Sequence, residues 1–290
     1  MKRMTREYWK WPESRWTSND IDWRKANTIT AGLDIGAVSS QAVVLCDDKL
    51  CCYANHYTSE EIYDNAKATL DRALDGTGLR MDDIHQIVST GFGGDTIPFA
   101  KAAANEITCH AKGARFMYGP EVKTVVDLGG QTVKAMKLYA WDRIRDFTVN
   151  DKCAVNMGFG IEILADLLQV PIEEIGERSL TGSEDPEPVS TTCHVFANTE
   201  TMGLLREGLP EQQVLASHLF AVSWRLYALI GRISPEKELA FTGGLAKNVG
   251  IVRRLERDMK MKALTSDYDP QLAGAIGAAI FAQELLATGQ

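Results

Sequence analysis

The sequence predicts an α/β protein built from two similar halves, and three observations carry this prediction. Two apolar strands end in the pattern Asp-X-Gly, at Asp34 and Asp127, and a hairpin follows each of them. Strand-like segments then give way to segments with apolar residues at helical spacing, such as residues 59–77 and 212–233. A third glycine turn, Thr242-Gly243-Gly244, follows a later apolar strand. Internal duplication of a strand–hairpin–helix unit is the simplest interpretation.

Composition places the chain among ordinary soluble proteins. Its 290 residues are 45% hydrophobic and 24% charged, which suffices for two medium domains with their own cores. The net charge of −8 argues against nucleic acid as a partner, because phosphate backbones are bound by clustered Lys and Arg. No apolar run approaches the roughly 18 residues of a membrane helix, and the N-terminus lacks the apolar core of a signal peptide. We therefore expect a cytoplasmic protein that binds neither nucleic acid nor membrane.

The first 27 residues have a composition unlike the rest of the chain, with four of the six tryptophans set among Arg and Lys. Because aromatic and Arg side chains anchor many binding surfaces, one interpretation is an arm that docks on another subunit, and the other is a frayed leader. We divide the chain into this arm at residues 1–27, a first half at 28–122 and a second half at 123–290. The C-terminal helix could pack back on the first half, and we expect the two halves to share a cleft.

Local patterns define the elements of the first half. Apolar and β-branched residues between polar turns predict three successive strands, and Ile62, Ala66 and Leu70 at helical spacing predict a helix. A short apolar run then predicts a strand that leads into Thr90-Gly91. The expected elements are strands at residues 28–36, 41–46, 50–57 and 84–89 and a helix within residues 59–77.

The second half repeats this pattern and adds helices. An apolar strand ends at Asp127, a hairpin follows, and two polar segments that each carry a cysteine precede apolar residues at helical spacing. A polar segment with prolines predicts a loop, and small residues near the C-terminus predict a helix that packs closely. The expected elements are strands at residues 123–127, 133–138, 144–149 and 238–242, a loop at 177–189, and helices at 212–233 and 273–280.

Three glycine turns follow apolar strands and indicate phosphate binding. They are Asp34-Ile-Gly36, Asp127-Leu-Gly129-Gly130 and Thr242-Gly243-Gly244. Gly and Ser let backbone N–H groups approach phosphate oxygens, and a carboxylate at a strand end can hold Mg²⁺ through water. A single Asp-X-Gly is most often a turn and no more. Two duplicated turns with a later Thr-Gly-Gly predict a nucleotide held between two similar halves.

The six cysteines are not expected to form disulfides, because a reducing compartment keeps thiols free. Cys46, Cys51 and Cys52 lie in strand-like sequence, which is typical of packing residues. Cys153 and Cys193 each lie just before a helical pattern, where unpaired N–H groups and the helix dipole stabilise the thiolate that binds metal. Two thiolates cannot complete a four-thiolate site, so a metal would need a second subunit. Two buried structural cysteines are the alternative.

These motifs together resemble those of a known ATPase superfamily. The sequence is similar to actin-like proteins, sugar kinases and heat-shock ATPases. Within them it resembles the ATPase family of the 2-hydroxyacyl-CoA dehydratase activators and the ATP-binding subunits of ATP-dependent benzoyl-CoA reductase. The likeness runs from Thr28 to the C-terminus. Its most specific parts are Asn150-Asp-Lys-Cys153-Ala, Ser190-Thr-Thr-Cys193, Cys109-His110-Ala111 and Phe241-Thr-Gly-Gly-Leu-Ala-Lys-Asn248.

The resemblance implies an actin-like fold of two duplicated ribonuclease H-like domains around a nucleotide cleft, with ATP and Mg²⁺ as ligands. Asp34 and Asp127 would hold Mg²⁺ through water, and Gln131 would orient the attacking water. Cys153 and Cys193 would ligate one 4Fe–4S cluster shared between two subunits. The residues implied to bind the nucleotide are Gly36, Ala37, Ser39, Ser40, Gly129, Gly130, Gly243, Gly244 and Lys247.

Three departures from the family's pattern bear on function. The family usually has Lys where this chain has Gln41, and Gly-Thr-Gly-Arg where this chain has Asn156-Met157-Gly158-Phe159. It also has an acidic residue at Asn198, although Glu200 is kept. Loss of a cation at the first phosphate turn should weaken phosphate binding or hydrolysis. This pattern favours one of two unequal ATPase subunits in a heteromeric complex.

The resemblance therefore implies a subunit of a benzoyl-CoA reductase type complex that couples ATP hydrolysis to low-potential electron transfer. Its implied partners are a homologous ATPase subunit that shares the cluster, larger substrate-binding reductase subunits and a ferredoxin-like electron donor. Two alternatives remain open. One is the homodimeric activator of a 2-hydroxyacyl-CoA dehydratase, and the other is a non-hydrolysing structural subunit that supplies two thiolates.

Overall fold

The computed structural model describes residues 14–58, 61–139, 143–150, 157–191 and 193–289. The chain divides into two compact units. The first consists mainly of Met1–Val122 and Thr265–Gln290, and the second of Lys123–Tyr139 and Arg143–Leu264. The C-terminal segment, which the division by sequence places in the second half with the option of packing back, thus belongs to the first unit.

The first unit contains a sheet of six strands. Three of them, β2, β3 and β4, are consecutive and antiparallel, β5 runs parallel to β2, and β6 runs parallel to β5. The spatial order is β1-β4-β3-β2-β5-β6. The strands are β1 Ser14–Thr17, β2 Ile29–Ile35, β3 Ser39–Cys46, β4 Lys49–Tyr57, β5 Gln86–Thr90 and β6 Ala102–Ala103.

Helices cover both faces of this sheet, because side chains alternate between the faces along each strand. On one face, Leu70 of helix α1 packs with Val44. On the other face, Ile276 of helix α8 packs with Val43 and Leu45. The helices of this unit are α1 Ile62–Leu74, α2 Glu106–Tyr118 and α8 Ala273–Thr288. The backbone of α8 lies directly on β2, since a Cβ on Gly32 would collide with the carbonyl of Ala275.

The second unit repeats the strand arrangement of the first. Strands β7, β8 and β9 are consecutive and antiparallel, and β10 runs parallel to β7. Beyond β10, Ala263 makes a parallel bridge to Leu239, at the place that β6 takes beside β5. The order β10-β7-β8-β9 therefore matches β5-β2-β3-β4. The strands are β7 Thr124–Leu128, β8 Val133–Leu138, β9 Ile144–Val149 and β10 Leu239–Thr242.

Five helices lie in the described part of the second unit. Leu215, Leu219 and Leu226 on the longest helix, α6, form one core cluster with Val126 and Phe241 of the strands. Helix α4 takes up the first residues of the segment 177–189, so the loop predicted there is shorter than expected. The helices are α3 Met157–Leu168, α4 Ile172–Ser179, α5 His194–Arg206, α6 Glu211–Gly231 and α7 Val249–Met259.

Two helical segments, Glu211–Gly231 and Pro270–Thr288, are long and apolar enough to cross a membrane by length and composition. However, 61% of the most apolar stretch of the first helix and 50% of that of the second are buried inside the protein. Both pack against strands of their own unit, Glu211–Gly231 through residues such as Leu219 and Pro270–Thr288 through residues such as Ile276. The expectation that no apolar run approaches membrane length was therefore too strict, because two helices that pack within the protein reach that length.

The N-terminal segment from Ser14 onward packs on the first unit. Strand β1 pairs with the edge of β4, and Trp16 stacks on Tyr53 with 6.2 Å between ring centroids. The indole N–H of Trp23 donates to the carbonyl of Thr77 at 3.1 Å. This part of the segment is therefore an edge of the first sheet, not a frayed leader. Trp9 and Trp11 lie outside the described residues, and docking on another subunit stays a prediction.

Candidate functional site

The two strand-end aspartates occupy matching positions in the two sheets. Asp34 is paired with Gln41 on β3 and with Thr90 on β5. Asp127 is paired with Lys134 on β8 and with Thr242 on β10. Both carboxylates are buried, with residue exposures of 6% and 3%. The duplicated sheets thus present one buried carboxylate each at the same point of the same topology.

The turn after each aspartate has the same tight geometry. The N–H of Gly36 donates to the carbonyl of Ser39 at 3.1 Å, which closes the first turn. A Cβ on Gly36 would lie 2.6 Å from that carbonyl oxygen, and a Cβ on Gly129 would lie 2.5 Å from the oxygen of Thr132. Neither turn could hold a side chain at its glycine. Both leave the backbone bare where a phosphate oxygen could approach the N–H groups.

A second glycine approaches each carboxylate from the neighbouring parallel strand. Gly91 has φ +84° and Gly243 has φ +83°. A Cβ on Gly91 would collide with Oδ1 of Asp34, and one on Gly243 would lie 2.6 Å from Oδ1 of Asp127. Sequence reasoning placed only Gly243 in the site. The signal for Gly91 was present, because Thr90-Gly91 repeats Thr242-Gly243 at the end of the corresponding strand.

Polar side chains beside the first turn form an amide network. The amide of Gln41 donates to Oγ of Ser39 and to Oδ1 of Asn55, both at 2.8 Å. Asn55 donates to Gln271 at 2.9 Å, and Gln271 donates to Oγ of Ser39 at 3.1 Å. Ser39 therefore contributes its hydroxyl to this network. Ser40 does not point its hydroxyl at the turn, since that group is buried with Thr58 at 2.9 Å and Asn65 at 2.6 Å.

A histidine faces Asp34 from helix α2. Nε2 of His110 lies 3.7 Å from Oδ2 of Asp34 and 4.0 Å from a carboxylate oxygen of Glu106. His110 is buried, and a Cβ on Gly274 of α8 would lie 3.1 Å from its Nε2. The motif Cys109-His110-Ala111 contributed to the resemblance without an assigned role, and it places this imidazole next to the first carboxylate.

The second turn carries a lysine that sequence reasoning missed. Nζ of Lys134 donates to Oδ2 of Asp127 at 3.2 Å and to Oγ1 of Thr132 at 2.9 Å. The side chains of Lys134 and Asp127 are 6% and 4% exposed. A buried ammonium group therefore lies against the second carboxylate, at the position that Gln41 occupies beside the first.

The other residues predicted to bind nucleotide lie on the turns themselves. Ala37 and Gln131 are exposed at the tips of the first and second turns. Gly130 is partly buried in the second turn. Gly244 and Lys247 belong to a short 3-10 helix, Gly244–Lys247, that follows Gly243 and leads into α7. The second and third glycine turns thus belong to one unit and follow the paired strands β7 and β10, on which Asp127 lies opposite Thr242.

Cys193 is the N-cap residue of α5, as the sequence predicts. It is partly buried, and the first turn of this helix exposes two apolar side chains, Val195 at 55% and Phe196 at 63%. The N–H of Ser190 donates to Oε2 of Glu200 at 2.6 Å, which ties the segment before Cys193 to the helix. Cys153 and Asn156 lie outside the described residues.

Both ends of the segment that contains Cys153 are bonded to the second glycine turn. Before it, the N–H of Val133 donates to the carboxamide oxygen of Asn150 at 2.8 Å, and the N–H of Asn150 donates to the carbonyl of Val133 at 3.1 Å. After it, the N–H of Phe159 in α3 donates to the carbonyl of Gly130 at 3.0 Å. A Cβ on Gly158 would lie 2.6 Å from Cα of Gly130, so α3 begins in direct contact with this turn.

The four remaining cysteines are buried in the first unit. Cys46, Cys51 and Cys52 belong to its core, in agreement with a packing role. Burial raises the pKa of Cys109 to about 12, which keeps it a neutral thiol at physiological pH. These cysteines therefore differ from Cys193, which is accessible at a helix N-terminus.

Comparison with known proteins identifies relatives along most of the chain. The activator of lactoyl-CoA dehydratase from Anaerotignum propionicum is 35% identical over 255 residues, 88% of this chain and 97% of that protein. The activator of 2-hydroxyisocaproyl-CoA dehydratase from Clostridium difficile, solved with bound ADPNP, superposes with a TM-score of 0.84 at 32% identity, covering 91% and 97% of the two chains. One of the subunits of benzoyl-CoA reductase from Thauera aromatica is 28% identical over 264 residues, 88% and 93% of the two chains.

The fold is also shared with a more distant protein. A glucokinase of the ROK family from Streptomyces griseus superposes with a TM-score of 0.53 at 15% identity, over 88% of this chain and 99% of that one. The expected actin-like and sugar kinase fold is therefore confirmed. Residues 31–282 match one ATPase family in particular, and the chain belongs to this family, the BadF/BadG/BcrA/BcrD ATPases.

Proposed function

We propose that this chain is an ATP-hydrolysing subunit that prepares low-potential electrons for an acyl-CoA-processing enzyme, in the manner of a 2-hydroxyacyl-CoA dehydratase activator. The observation that carries the proposal is the duplicated cradle, in which a buried aspartate, a bare glycine turn and a second glycine recur in both sheets. Family membership and the similarity to two activators support the same activity. The sequence alone favoured a benzoyl-CoA reductase subunit over a dehydratase activator, and this proposal reverses that preference.

In this proposal the residues of the cradles divide the work of binding and hydrolysing ATP. Backbone N–H groups of the turns at Gly36 and Gly129 bind phosphate oxygens. Asp34 and Asp127 would hold a Mg²⁺ ion through its waters, and the ion would neutralise phosphate charge during hydrolysis. Gln131, exposed at the turn, orients the attacking water. Hydrolysis then yields ADP and phosphate.

The same proposal assigns Cys153 and Cys193 as ligands of a 4Fe–4S cluster shared with a second ATPase subunit. The surroundings of Cys193 fit this role, because it is a partly exposed N-cap residue beside the exposed apolar residues Val195 and Phe196. When bound, such a cluster would supply single electrons, with a ferredoxin-like protein as the donor and a larger enzyme component as the acceptor.

A second candidate is the ATP-binding subunit of a benzoyl-CoA reductase type complex, paired with an unequal ATPase subunit. One observation favours it: the first turn carries the neutral Gln41 where the second carries Lys134. A weaker first turn is more readily tolerated when a related subunit shares the hydrolysis. Purification from the native host discriminates the candidates, because a heteromeric reductase brings down a second, related chain and a homodimeric activator does not.

Anaerobic purification and two assays test the main proposal. We expect ATPase activity that Asp34→Ala and Asp127→Ala each abolish, and unchanged turnover in both variants would favour a non-hydrolysing structural subunit. We also expect an iron–sulfur absorption band that is lost in Cys153→Ala and Cys193→Ala. The buried Cys46→Ala variant is the matched control and should keep the band. A full band in both ligand variants would overturn the assignment of the cysteines.

A further inference from the structure

We propose that Cys51 and Cys46 form a peroxide-reactive thiol pair that closes into a disulfide at one end of the first sheet. The two residues lie on either side of the hairpin turn between β3 and β4, and Cys52 follows directly. Cys46 pairs with Ile29, at the opposite end of β2 from Asp34. The thiol site is therefore separate from the proposed ATP site, and its reactivity does not depend on ATP hydrolysis.

A β-bulge brings the three thiols to one face of the sheet. The register of the two strands shifts between Val44 and Leu45, and Cys51 is the extra residue on β4. Regular alternation would place Cys51 and Cys52 on opposite faces, but a bulge re-aims a side chain. Both belong to the core cluster on the α1 side of the sheet, together with Cys46. The bulge thus assembles a cluster of thiols that a regular strand would separate.

Hydrogen bonds make Cys51 the most acidic of the three thiols. The thiols of Cys46 and Cys52 both donate to the sulfur of Cys51, which lowers its pKa and raises the pKa of each donor. Since the thiolate is the nucleophilic form of cysteine, Cys51 is the thiol that attacks an oxidant. Cys46 reacts next, because a bond between the adjacent Cys51 and Cys52 would close a small, strained ring.

The reaction needs a two-electron oxidant, and hydrogen peroxide is small enough to reach a buried thiol. Cys51 loses its proton, and its sulfur attacks one peroxide oxygen, so that the O–O bond breaks and hydroxide leaves, taking up the proton as water. The sulfur of Cys46 then attacks the resulting sulfenic acid. The S–S bond forms, the S–O bond breaks, and the hydroxyl group leaves with the proton of Cys46 as a second water. Two thiols become one disulfide while one peroxide becomes two waters.

The site is covered by a short edge strand. Cys46 and Cys51 are only 3% and 2% exposed, so peroxide must enter when the fold opens locally. The carbonyl of Cys51 accepts the N–H of Ser18 at 2.8 Å, directly after the four residues of β1. Short edge segments open at a low free-energy cost, and the stacking of Trp16 on Tyr53 holds this one closed. Opening of β1 therefore limits the rate of oxidation.

Peptide mapping after peroxide treatment tests the pair. The reduced protein is treated with hydrogen peroxide, its remaining thiols are alkylated in denaturant, and it is digested with trypsin. Cleavage after Lys49 separates Cys46 from the other two thiols of the cluster, so a disulfide between the strands appears as two linked peptides. We expect linked peptides in the wild type and in Cys52→Ser but not in Cys51→Ser. Cys109, which is also buried and whose pKa is raised by burial, should stay reduced in the same samples.

Trp16→Ala tests the route by which peroxide enters. Loss of the aromatic pair should speed formation of the linked peptides by roughly twofold to tenfold, because β1 opens more often. An unchanged rate would overturn β1 as the cover of the site.

The peptides also decide which thiols react. Absence of linked peptides from the wild type, or oxidation of Cys109 at the same rate, would overturn the reactive pair. A disulfide confined to the peptide that holds Cys51 and Cys52 would overturn Cys46 as the second thiol. If Cys51→Ser does not fold, the wild type and Cys52→Ser decide the question, because linked peptides in both can come only from Cys46 and Cys51.

Discussion

The two halves share their backbone cradle and differ in the side chains around it. Each sheet buries one aspartate between a glycine turn and a second glycine with positive φ. Around Asp34 lie the amide of Gln41 and the imidazole of His110, whereas Lys134 and the start of α3 lie around the second turn. The backbone geometry is thus what the duplication preserves. The two halves therefore combine one shared backbone geometry with different polar side chains around each carboxylate.

The largest expected effect comes from breaking what the halves share. In Gly91→Ala and Gly243→Ala, the new methyl group would collide with the buried aspartate at a φ that disfavours alanine. Backbone strain of this kind costs about 1–3 kcal/mol, and relieving it displaces the aspartate, so we expect ATP affinity to fall by roughly tenfold to a hundredfold in both variants. Fluorescence titration with a labelled nucleotide measures it.

A matched control is available for these variants. Gly203 lies within α5, and a Cβ added there would meet no other side chain within 4 Å among the described residues, so Gly203→Ala should leave ATP affinity unchanged. Equal losses in Gly91→Ala and Gly243→Ala would support equal cradles. If only one of them weakens binding, the halves do not contribute alike, and the cradle in the other half has no role in nucleotide binding.

The next largest expected effect is a loss of stability in acid, and it comes from the buried His218 of the second half. Burial lowers the pKa of His218 to about 4, and its ring contacts the hydroxyl of Thr201 at 2.9 Å. The unfolded chain, with a histidine pKa of 6.5, therefore binds more protons between pH 6.5 and pH 4. Stability is lost as the pH falls through this window, by about 2 kcal/mol between pH 7 and pH 5.

Urea unfolding at pH 7 and pH 5 checks this expectation. His218→Asn should remove most of the acid sensitivity, because the titrating group is gone, whereas the exposed His85→Asn should keep it. A pH response that persists in His218→Asn would place the sensitivity elsewhere in the molecule. The result therefore locates the acid-labile half of the molecule.

Sequence patterns could predict the elements that depend on near neighbours. The hairpins after Asp34 and Asp127 follow from strand periodicity and turn residues, and the N-cap position of Cys193 follows from the helical pattern after it. The contact between Lys134 and Asp127 was missed because it depends on strand register. His110 was missed because it approaches Asp34 from a helix 76 positions along the chain (110 − 34).

Longer-range packing was harder still to predict. The C-terminal helix joins the first unit because residues such as Gly32 on β2 let its backbone come close, and that match is visible only when both elements are placed. Strand β1 is similar, since Trp16 finds its partner Tyr53 at an edge left open by β4. The local sequence pattern shows the tryptophans of the N-terminal segment, but it does not show the edge of the sheet at β4 on which Trp16 packs.

The smallest expected effect tests how the second turn communicates with the cysteine segment. Asn150, three residues before Cys153, pairs with Val133 directly after the glycine turn, and Phe159 bonds to Gly130. A shift of the turn on nucleotide binding would therefore move both ends of the segment between them. Coupling between two sites is reciprocal, so a cluster held by Cys153 should change ATP affinity, and ATP should change the environment of the cluster equally.

Asn150→Ala removes one of these connections while leaving the cysteines and the glycine turn in place. The lost hydrogen bond is worth about 1 kcal/mol, so we expect the ratio of ATP affinities between cluster-loaded and cluster-free protein to shrink by roughly fivefold. Gln213→Ala is the matched control, because Gln213 also accepts a backbone N–H, that of Ser183 at 3.0 Å, in the same unit. An affinity ratio that stays at the wild-type value in Asn150→Ala would mean that the coupling runs through α3 alone. A change of the same size in both variants would instead reflect a general loosening of the second unit, because the two substitutions remove the same kind of bond and only one of them touches the turn.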